Sequence, residues 1–326
     1  MNISITKLKN ILTEILIKNG ATNDEANIIS DEILYAEMRG KKSHGLPMLN
    51  SMIKRVKNRK DDIIVLDESN QFALIDGNNG IGPVVAKKAM DICVKKTEKY
   101  GFAMVAVKNP SPFITAGYHA WITARDKGLI AFCFSVAKSK VAPYGCSEPI
   151  FGTNPIGFAF PTKEYPIVVD MSTTNIAAAS IKQALANGKT IPNNVAIDNQ
   201  GNVTTDPKEA LDGSLLTFGG YKGSCIALII ELMAGAFIDA KCGKQNGEMR
   251  TMLFFTCRPN LCADESKVRE NASNLRSDIN TAKSIKNSKG YVPGDNAERL
   301  MSEAELNGIE LTESDINILK KNGYIL

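Results

Sequence analysis

The sequence predicts an α/β layered fold, and two observations carry that prediction. Short strand-like apolar runs alternate with helical apolar stripes from about residue 63 to residue 187, the pattern of repeated strand–helix units. The chain is also long enough, at 326 residues with 44% hydrophobic content and 23% charge, to bury a sizeable core, which excludes wholesale disorder.

The elements follow in order. Ile5, Leu8, Ile11, Leu12 and Ile15 recur at helical spacing, and Gly20 is a natural stop. Thr22 and Glu25 form a capping box for a second helix carrying Ile28, Ile29, Ile33 and Leu34. That helix ends near Gly40 and delivers Ser43-His44-Gly45 to the loop beyond. Ile63 to Leu66 and Phe72 to Ile75 read as a hairpin across Asp67 to Asn70. A helix over Val84 to Tyr100, stopped at Gly101, precedes a buried strand at Ala103 to Val107. A helix around Ala116 to Lys127 and a strand at Leu129 to Ser135 continue the alternation. Strands at Gly157 to Phe160 and Ile167 to Asp170 lead to a helix over Ile176 to Asn187. Cys225 to Ala240 is apolar almost all round and reads as a buried helix. Residues 258–290 read as a surface helix and a loop, and the tail as helices over Asn296 to Leu306 and Thr312 to Lys321.

Charge and cysteine usage narrow the function. The net charge of +4 is spread along the chain, and the cluster Lys54, Arg55, Lys57, Arg59 and Lys60 reads as a solvated face, so no nucleic acid is expected. The seven cysteines include no C-x-x-C pair, and Cys93, Cys133 and Cys225 sit in apolar runs as small core residues, which implies a reducing compartment. The first residues hold no apolar stretch of signal-peptide length, and Cys225 to Ile238, interrupted by Glu231, reads as too short to span a bilayer. A soluble, cytoplasmic protein with no membrane partner is therefore expected.

The chain has two histidines. His44, between Ser43 and Gly45 past a helix end, suits a site loop or a plain surface position, and local sequence leaves both open. His119 falls within a helical apolar pattern and reads as packed. Gly80-Ile81-Gly82-Pro83 lacks the third glycine of a dinucleotide fingerprint, and Pro83 looks like a helix start. Gly219-Gly220-Tyr221-Lys222-Gly223, just before an apolar helix, suits either a phosphate contact or a flexible turn. Asp170 to Thr174 suits ribose or phosphate, or an ordinary cap; Thr205-Asp206-Pro207 reads as a cap. Gly152-Thr153-Asn154-Pro155 reads as a turn that sets Thr153 and Asn154 beside a ligand. No H-E-x-x-H or G-x-S-x-G occurs, and no metal is expected.

Several segments together carry a resemblance. MRGKKSHG (38–45), IDGNNGIGPVVAKKAMDICVKK (75–96), FGTNPIGFAFP (151–161) and VVDMSTTNIA (168–177) resemble the malate/L-lactate dehydrogenase family. IPNNVAIDNQGNVTTDPKEAL (191–211), FGGYKG (218–223) and VPGDNAE (292–298) extend the likeness, in order, from about residue 5 to the C-terminus. The resemblance implies a layered α/β/α, non-Rossmann cofactor domain over residues 111–249. It also implies a second α/β domain from both chain ends, residues 1–110 plus 250–326, and a homodimer. It implies NAD or NADP as cofactor and reduction of a small 2-oxo acid to the L-2-hydroxy acid. His44 would be the acid/base with Ser43 beside it, and Asp198 a supporting residue. Cofactor contacts would fall on Asp170, Met171, Ser172, Thr173, Thr174, Asn175 and Ile176, on Tyr221 and Lys222, and on Gly294 and Asp295. Two alternatives stand beside that reading: a cyclic ketimine reductase, and a catalytically impaired homologue that binds cofactor.

Three departures from the family pattern bear on substrate. Met48 stands where the family's S-H-G-x-x-R places an arginine resembling a carboxylate clamp. Pro112, in Asn109-Pro110-Ser111-Pro112-Phe113-Ile114, stands where N-S-N-H-F-G supplies a second histidine, and Val195 replaces the tryptophan of W-A-x-D. The pocket is thus expected to favour substrates with apolar or neutral side chains over malate, with Lys42, Lys138 or Lys140 holding the remaining carboxylate.

Overall fold

The structure, a computed structural model, describes residues 2–60, 63–246, 249–285 and 288–324. The chain begins with β1 (Asn2–Ile3), α1 (Ile5–Lys18), α2 (Asn23–Met38) and α3 (Leu49–Lys57). The capping box at Thr22 forms both of its bonds, Glu25 N to Thr22 Oγ1 at 3.2 Å and Thr22 N to Glu25 Oε2 at 2.8 Å. The hairpin β2 (Ile64–Glu68) and β3 (Phe72–Asp76) follows, then α4 (Gly82–Tyr100), with Pro83 in its first turn and Gly101 stopping it at φ +91°. Next come β4 (Phe102–Lys108), α5 (Ala116–Lys127), β5 (Ile130–Val136), β6 (Val141–Ala142), β7 (Ile156–Phe160) and β8 (Ile167–Met171).

The chain continues through α6 (Ala178–Ala186), β9 (Ala196–Ile197), α7 (Pro207–Asp212), β10 (Ser214–Leu216) and α8 (Tyr221–Ala234). Asp206 caps α7, accepting from Lys208 N at 2.7 Å and Glu209 N at 3.1 Å, as its Asp-Pro pattern predicts. The last elements are β11 (Thr251–Cys257), α9 (Glu265–Thr281), α10 (Asp295–Asn307), β12 (Ile309–Glu310) and α11 (Glu313–Lys321). Residues 258–290 do contain the expected surface helix, α9, and positions 286 and 287 of the following loop lie outside the described residues.

Among the described residues the main sheet has seven strands in the order β2-β3-β4-β11-β5-β7-β8. Only β3 and β4 pair in parallel within it; the other neighbours run antiparallel. On one face α4, α5 and Tyr35 of α2 close a core with Val105, Val107, Cys133 and Phe254. On the other face α8 and the turn after it cover Ala106, Val136 and Leu253. The chain ends meet through the β1–β12 pair, and α1, α2, α3 and α11 share one apolar cluster. A small sheet, β6-β10-β9, packs with α6 and α7 around Val141, Ile181 and Leu215.

Three expectations are corrected here. The expected boundaries at 110/111 and 249/250 cut the main sheet: β11, from the second segment of the end domain, pairs over seven residues with β5 of the cofactor segment. The two segments therefore share one sheet, although the chain ends do assemble together. That central strand contains the run Met252-Leu253-Phe254-Phe255, for which the sequence predicts no element.

The second correction concerns α8, expected as a buried helix over Cys225 to Ala240. It runs Tyr221–Ala234 and buries only the stripe Gly223, Ala227, Ile230, Glu231 and Ala234. Leu228, Ile229, Leu232, Met233 and Phe237 remain 40 to 60% exposed. Apolarity all round identifies a helix with something to cover but does not say that the same chain covers it. The third correction concerns length: Tyr221–Ile238, 18 residues with mean hydropathy 1.5, does have the length and composition of a membrane span. Here Ile230 and Ala234 pack on the sheet, and Glu231 is hydrogen-bonded inside the fold.

Candidate active site

A cavity of about 430 Å³ opens where the turn after α2, the loop before α5 and the end of β8 converge. The turn is fixed from below by Glu37, whose side chain is fully buried and accepts from Leu46 N and Lys42 Nζ, both at 2.7 Å. Gly45 is required beside it, because a Cβ there would overlap the Glu37 carboxylate. Residues 42–44 thus form a tight single turn, closed by His44 N to Lys41 O at 2.8 Å, and Lys41, Ser43 and His44 line the cavity. The Ser43 hydroxyl and His44 Nδ1 lie 2.9 Å apart, which leaves Nε2 for a ligand.

The facing wall is the end of β8. Asp170 forms an ion pair with Lys41, whose Nζ also donates to the Asp170 carbonyl at 3.0 Å. Gly117 lets the start of α5 lie directly on Asp170, where a Cβ would overlap the carboxylate. Burial holds the His44 imidazole below its usual range; the Lys41 cation adds to this and Asp170 opposes it. His44 is therefore neutral at neutral pH.

The third wall, residues 112–116, is held from behind by Glu32 of α2. Glu32 Oε1 accepts from Ile114 N at 2.8 Å and Thr115 N at 2.6 Å. Its other oxygen lies 3.7 Å from His119 Nε2, and both side chains are essentially unexposed. Desolvation pushes the Glu32 carboxyl up to about 8, against the pull of its two amide bonds, and pushes His119 down to about 3. His119 is packed, as its helical setting predicts, with its ring edge-on to Phe113, Tyr118 and Phe254.

Of the expected site residues, Ser43, His44, Thr153, Asp170, Met171 and Ser172 come together around this cavity. The expected departures Met48 and Pro112 line it too. Thr173 is buried, its N and Oγ1 both donating to Thr153 O at 3.0 and 3.1 Å. The Thr174 hydroxyl bonds Ile176 O at 2.8 Å, and Asn175 Nδ2 reaches Asn194 O and Thr217 O. These hydroxyls do not cap a helix, since α6 starts only at Ala178. Phe218 N donates to Thr173 O at 3.1 Å, tying this segment to the strand that leads into Tyr221 and Lys222. Both of those side chains are exposed at the start of α8, outside the cavity wall.

Other expected residues serve the scaffold. Asn154 is fully buried and donates to Glu231 Oε1 at 3.0 Å and Ala227 O at 3.3 Å, so it braces α8 and does not face the cavity. Asp198 accepts from Gln200 N and Asn202 N at 2.8 and 2.9 Å and closes its own turn, away from the cavity. Gly294, at φ +97°, sits against Val168 of β8, and Asp295 is paired with Arg276 at 3.2 Å. Lys42 is engaged by Glu37, while Lys138 and Lys140 line an adjoining cavity of about 410 Å³ that shares Thr153 and Arg250 with the first.

The sequence reading passed over three residues of this site: Lys41, Glu32 and Arg250. Each reaches it through contacts between distant segments, which no local spacing encodes. Among the described residues, no three His, Cys, Asp or Glu side chains gather as metal ligands would.

Comparison with known proteins follows the same lines. The model of a family described as malate/L-lactate dehydrogenase matches residues 3–320. The chain is 33% identical over 324 residues to L-sulfolactate dehydrogenase of Methanocaldococcus jannaschii, covering 96% of this chain and 94% of that one. It is 32% identical over 241 residues to Delta(1)-pyrroline-2-carboxylate reductase 1 of Burkholderia ambifaria, covering 72% and 71% of the two chains. Its fold superposes on the crystal structure of malate dehydrogenase from Entamoeba histolytica with a TM-score of 0.91 at 26% identity, covering 99% and 97%.

Proposed function

The chain belongs to the malate/L-lactate dehydrogenase family, and from that premise we propose that it reduces a small 2-oxo acid to the L-2-hydroxy acid with NADH or NADPH. Membership makes it an oxidoreductase; the observation that carries the finer reading is His44. Its Nδ1 is engaged by Ser43, and it lines a cavity sized for a small acid beside a nicotinamide.

The residues present fit such a cofactor. Helix α6 starts without a side-chain cap, and Ala177, Ala178 and Ala179 line the cavity, so the helix's first amides are available to an anionic group. Asp170 to Ile176, with Tyr221 and Lys222 at the start of α8 and Gly294 and Asp295 beside β8, would hold the remainder. A bound reduced nicotinamide supplies a hydride. His44 gives a proton to the oxygen that becomes the hydroxyl, and takes it back in the reverse direction. Ser43 holds the ring's orientation through Nδ1, and the Lys41–Asp170 pair sets the field around it. Met48, Pro112 and Phe113 give that wall an apolar face.

The exposed stripe Leu228, Ile229, Leu232 and Met233 of α8 supports a homodimer that covers it. Seven free thiols support residence in a reducing cytoplasm. The likeness to the pyrroline-carboxylate reductase favours a second reading, in which the C=N of a cyclic imino acid is reduced in the same cavity.

The test is consumption of NADH and of NADPH with pyruvate, oxaloacetate, sulfopyruvate and Δ1-pyrroline-2-carboxylate. Turnover of an oxo acid supports the first reading, and turnover of the imine alone the second. Cofactor binding without turnover of any of them contradicts both.

A further inference from the structure

We infer that Arg250 binds an anionic group of the substrate, supplying from the edge of the central strand the guanidinium that position 48 lacks in this chain. The inference rests on the reading of the His44 cavity as the reaction site. Arg250 lines that cavity together with Met48 and Ser135. It directly precedes β11, whose first residue, Thr251, is buried and paired on both sides, with Lys108 and with Val136. Ser135 Oγ adds a bond to Thr251 O at 2.8 Å. The backbone that carries Arg250 is thus anchored in the middle of the sheet, as a positioning side chain requires.

Lys41 and His44 stand in the same wall. Lys41 is paired with Asp170, and His44 is held neutral by burial and by Lys41. Burial holds the Arg55 guanidinium of α3 below its usual range, and the like charge of nearby Arg250 adds to this. The Arg55 Nε is buried without a hydrogen-bond partner among the described residues. An oxyanion held at Arg250 offsets this repulsion, and the planar guanidinium matches a carboxylate or sulfonate through two parallel bonds.

Arg250 also borders the adjoining cavity, where Lys140 and Lys182 stand in the wall. A substrate with a second anionic group therefore meets further positive charge beyond Arg250. On this proposal dianionic substrates are favoured, where the sequence-based expectation favours neutral side chains.

The test replaces Arg250 by Gln and by Lys. Binding of oxalate is measured directly by calorimetry, and KM and kcat are measured for pyruvate and oxaloacetate. A charge-assisted bidentate contact corresponds to about ten- to more than a hundredfold in affinity. Arg250→Gln is expected to raise KM by that factor while NADH and NADPH affinity stays within about twofold. Arg250→Lys should recover part of the loss, since a point charge lacks the fork. Loss with pyruvate as well as oxaloacetate assigns Arg250 to the carboxylate next to the carbonyl; loss with oxaloacetate alone assigns it to the distal group. Equal oxalate affinity and KM in parent and Arg250→Gln overturn the inference, as does a parent that binds no oxalate. Arg250-dependent oxalate binding in a parent that reduces no oxo acid leaves the inference standing and removes the proposed function instead.

Discussion

Replacing Glu32 by Gln should make the protein more stable above neutral pH, and the amount follows from the buried pair it forms with His119. Glu32 Oε1 accepts two amides while Oε2 faces His119 Nε2 with no hydrogen-bond partner among the described residues. With the carboxyl pushed up to about 8 and the imidazole down to about 3, the pair holds one proton at pH 6, on Glu32. Asp170 adds to the rise at Glu32 and Lys87 to the fall at His119. A raised carboxyl binds its proton more tightly in the folded state. Its contribution is complete below its ordinary value of 4.5 and is lost as pH climbs to about 8. The lowered imidazole acts oppositely, adding stability as pH rises from about 3 to its ordinary value of 6.5.

The two slopes cancel between 4.5 and 6.5, so the loss emerges above pH 6.5. At about 1.4 kcal/mol per pH unit for one proton, the pair loses roughly 2 kcal/mol between pH 6.5 and 8. Glu32→Gln keeps the carbonyl that holds Ile114 and Thr115 and places an N–H donor before His119, so that slope should vanish. Urea unfolding of parent and variant at pH 6.5, 7.2 and 8 measures it. An equal slope in both proteins over that range would refute the assignment of the proton to Glu32.

Two further outcomes are expected. Gly117→Ala drives a Cβ into the Asp170 side chain, and should cost about 1–3 kcal/mol in denaturant unfolding and lower kcat/KM; unchanged stability would mean that α5 does not press on Asp170. Lys222→Ala should weaken nicotinamide binding about ten- to a hundredfold by fluorescence titration, as loss of one charge-assisted phosphate contact predicts. Equal affinity would move that contact elsewhere.

What was legible in the sequence was local. The Thr22–Glu25 capping box, the stop at Gly101 and the Asp206 cap each depend on residues within one turn, and each forms. Ser43-His44-Gly45 was legible only as a loop that suits a site or a surface position, because its turn is set by the contact of Gly45 with Glu37, eight residues away on the preceding helix. The Lys41–Asp170, Glu32–His119 and Arg250 contacts join segments 82 or more residues apart, and their partners have no spacing to recognise. The central strand β11 escaped because four apolar residues in a row suit a buried strand and a buried helix alike. The exposed stripe of α8 escaped because periodicity reports what must be covered, and a second molecule satisfies it as well as the same chain does.

The central claim is that the cavity around His44 performs the proton transfer, and His44→Asn tests it most directly under single-turnover conditions with NADH or NADPH and the best oxo acid. The rate should fall about 10²–10⁴-fold while cofactor affinity is retained. In the parent, reduction should weaken as pH rises through an apparent pKa below 6.5, because burial and Lys41 hold the imidazole down. A variant that reduces the oxo acid at the parent's rate, with the parent's pH profile, would contradict the account.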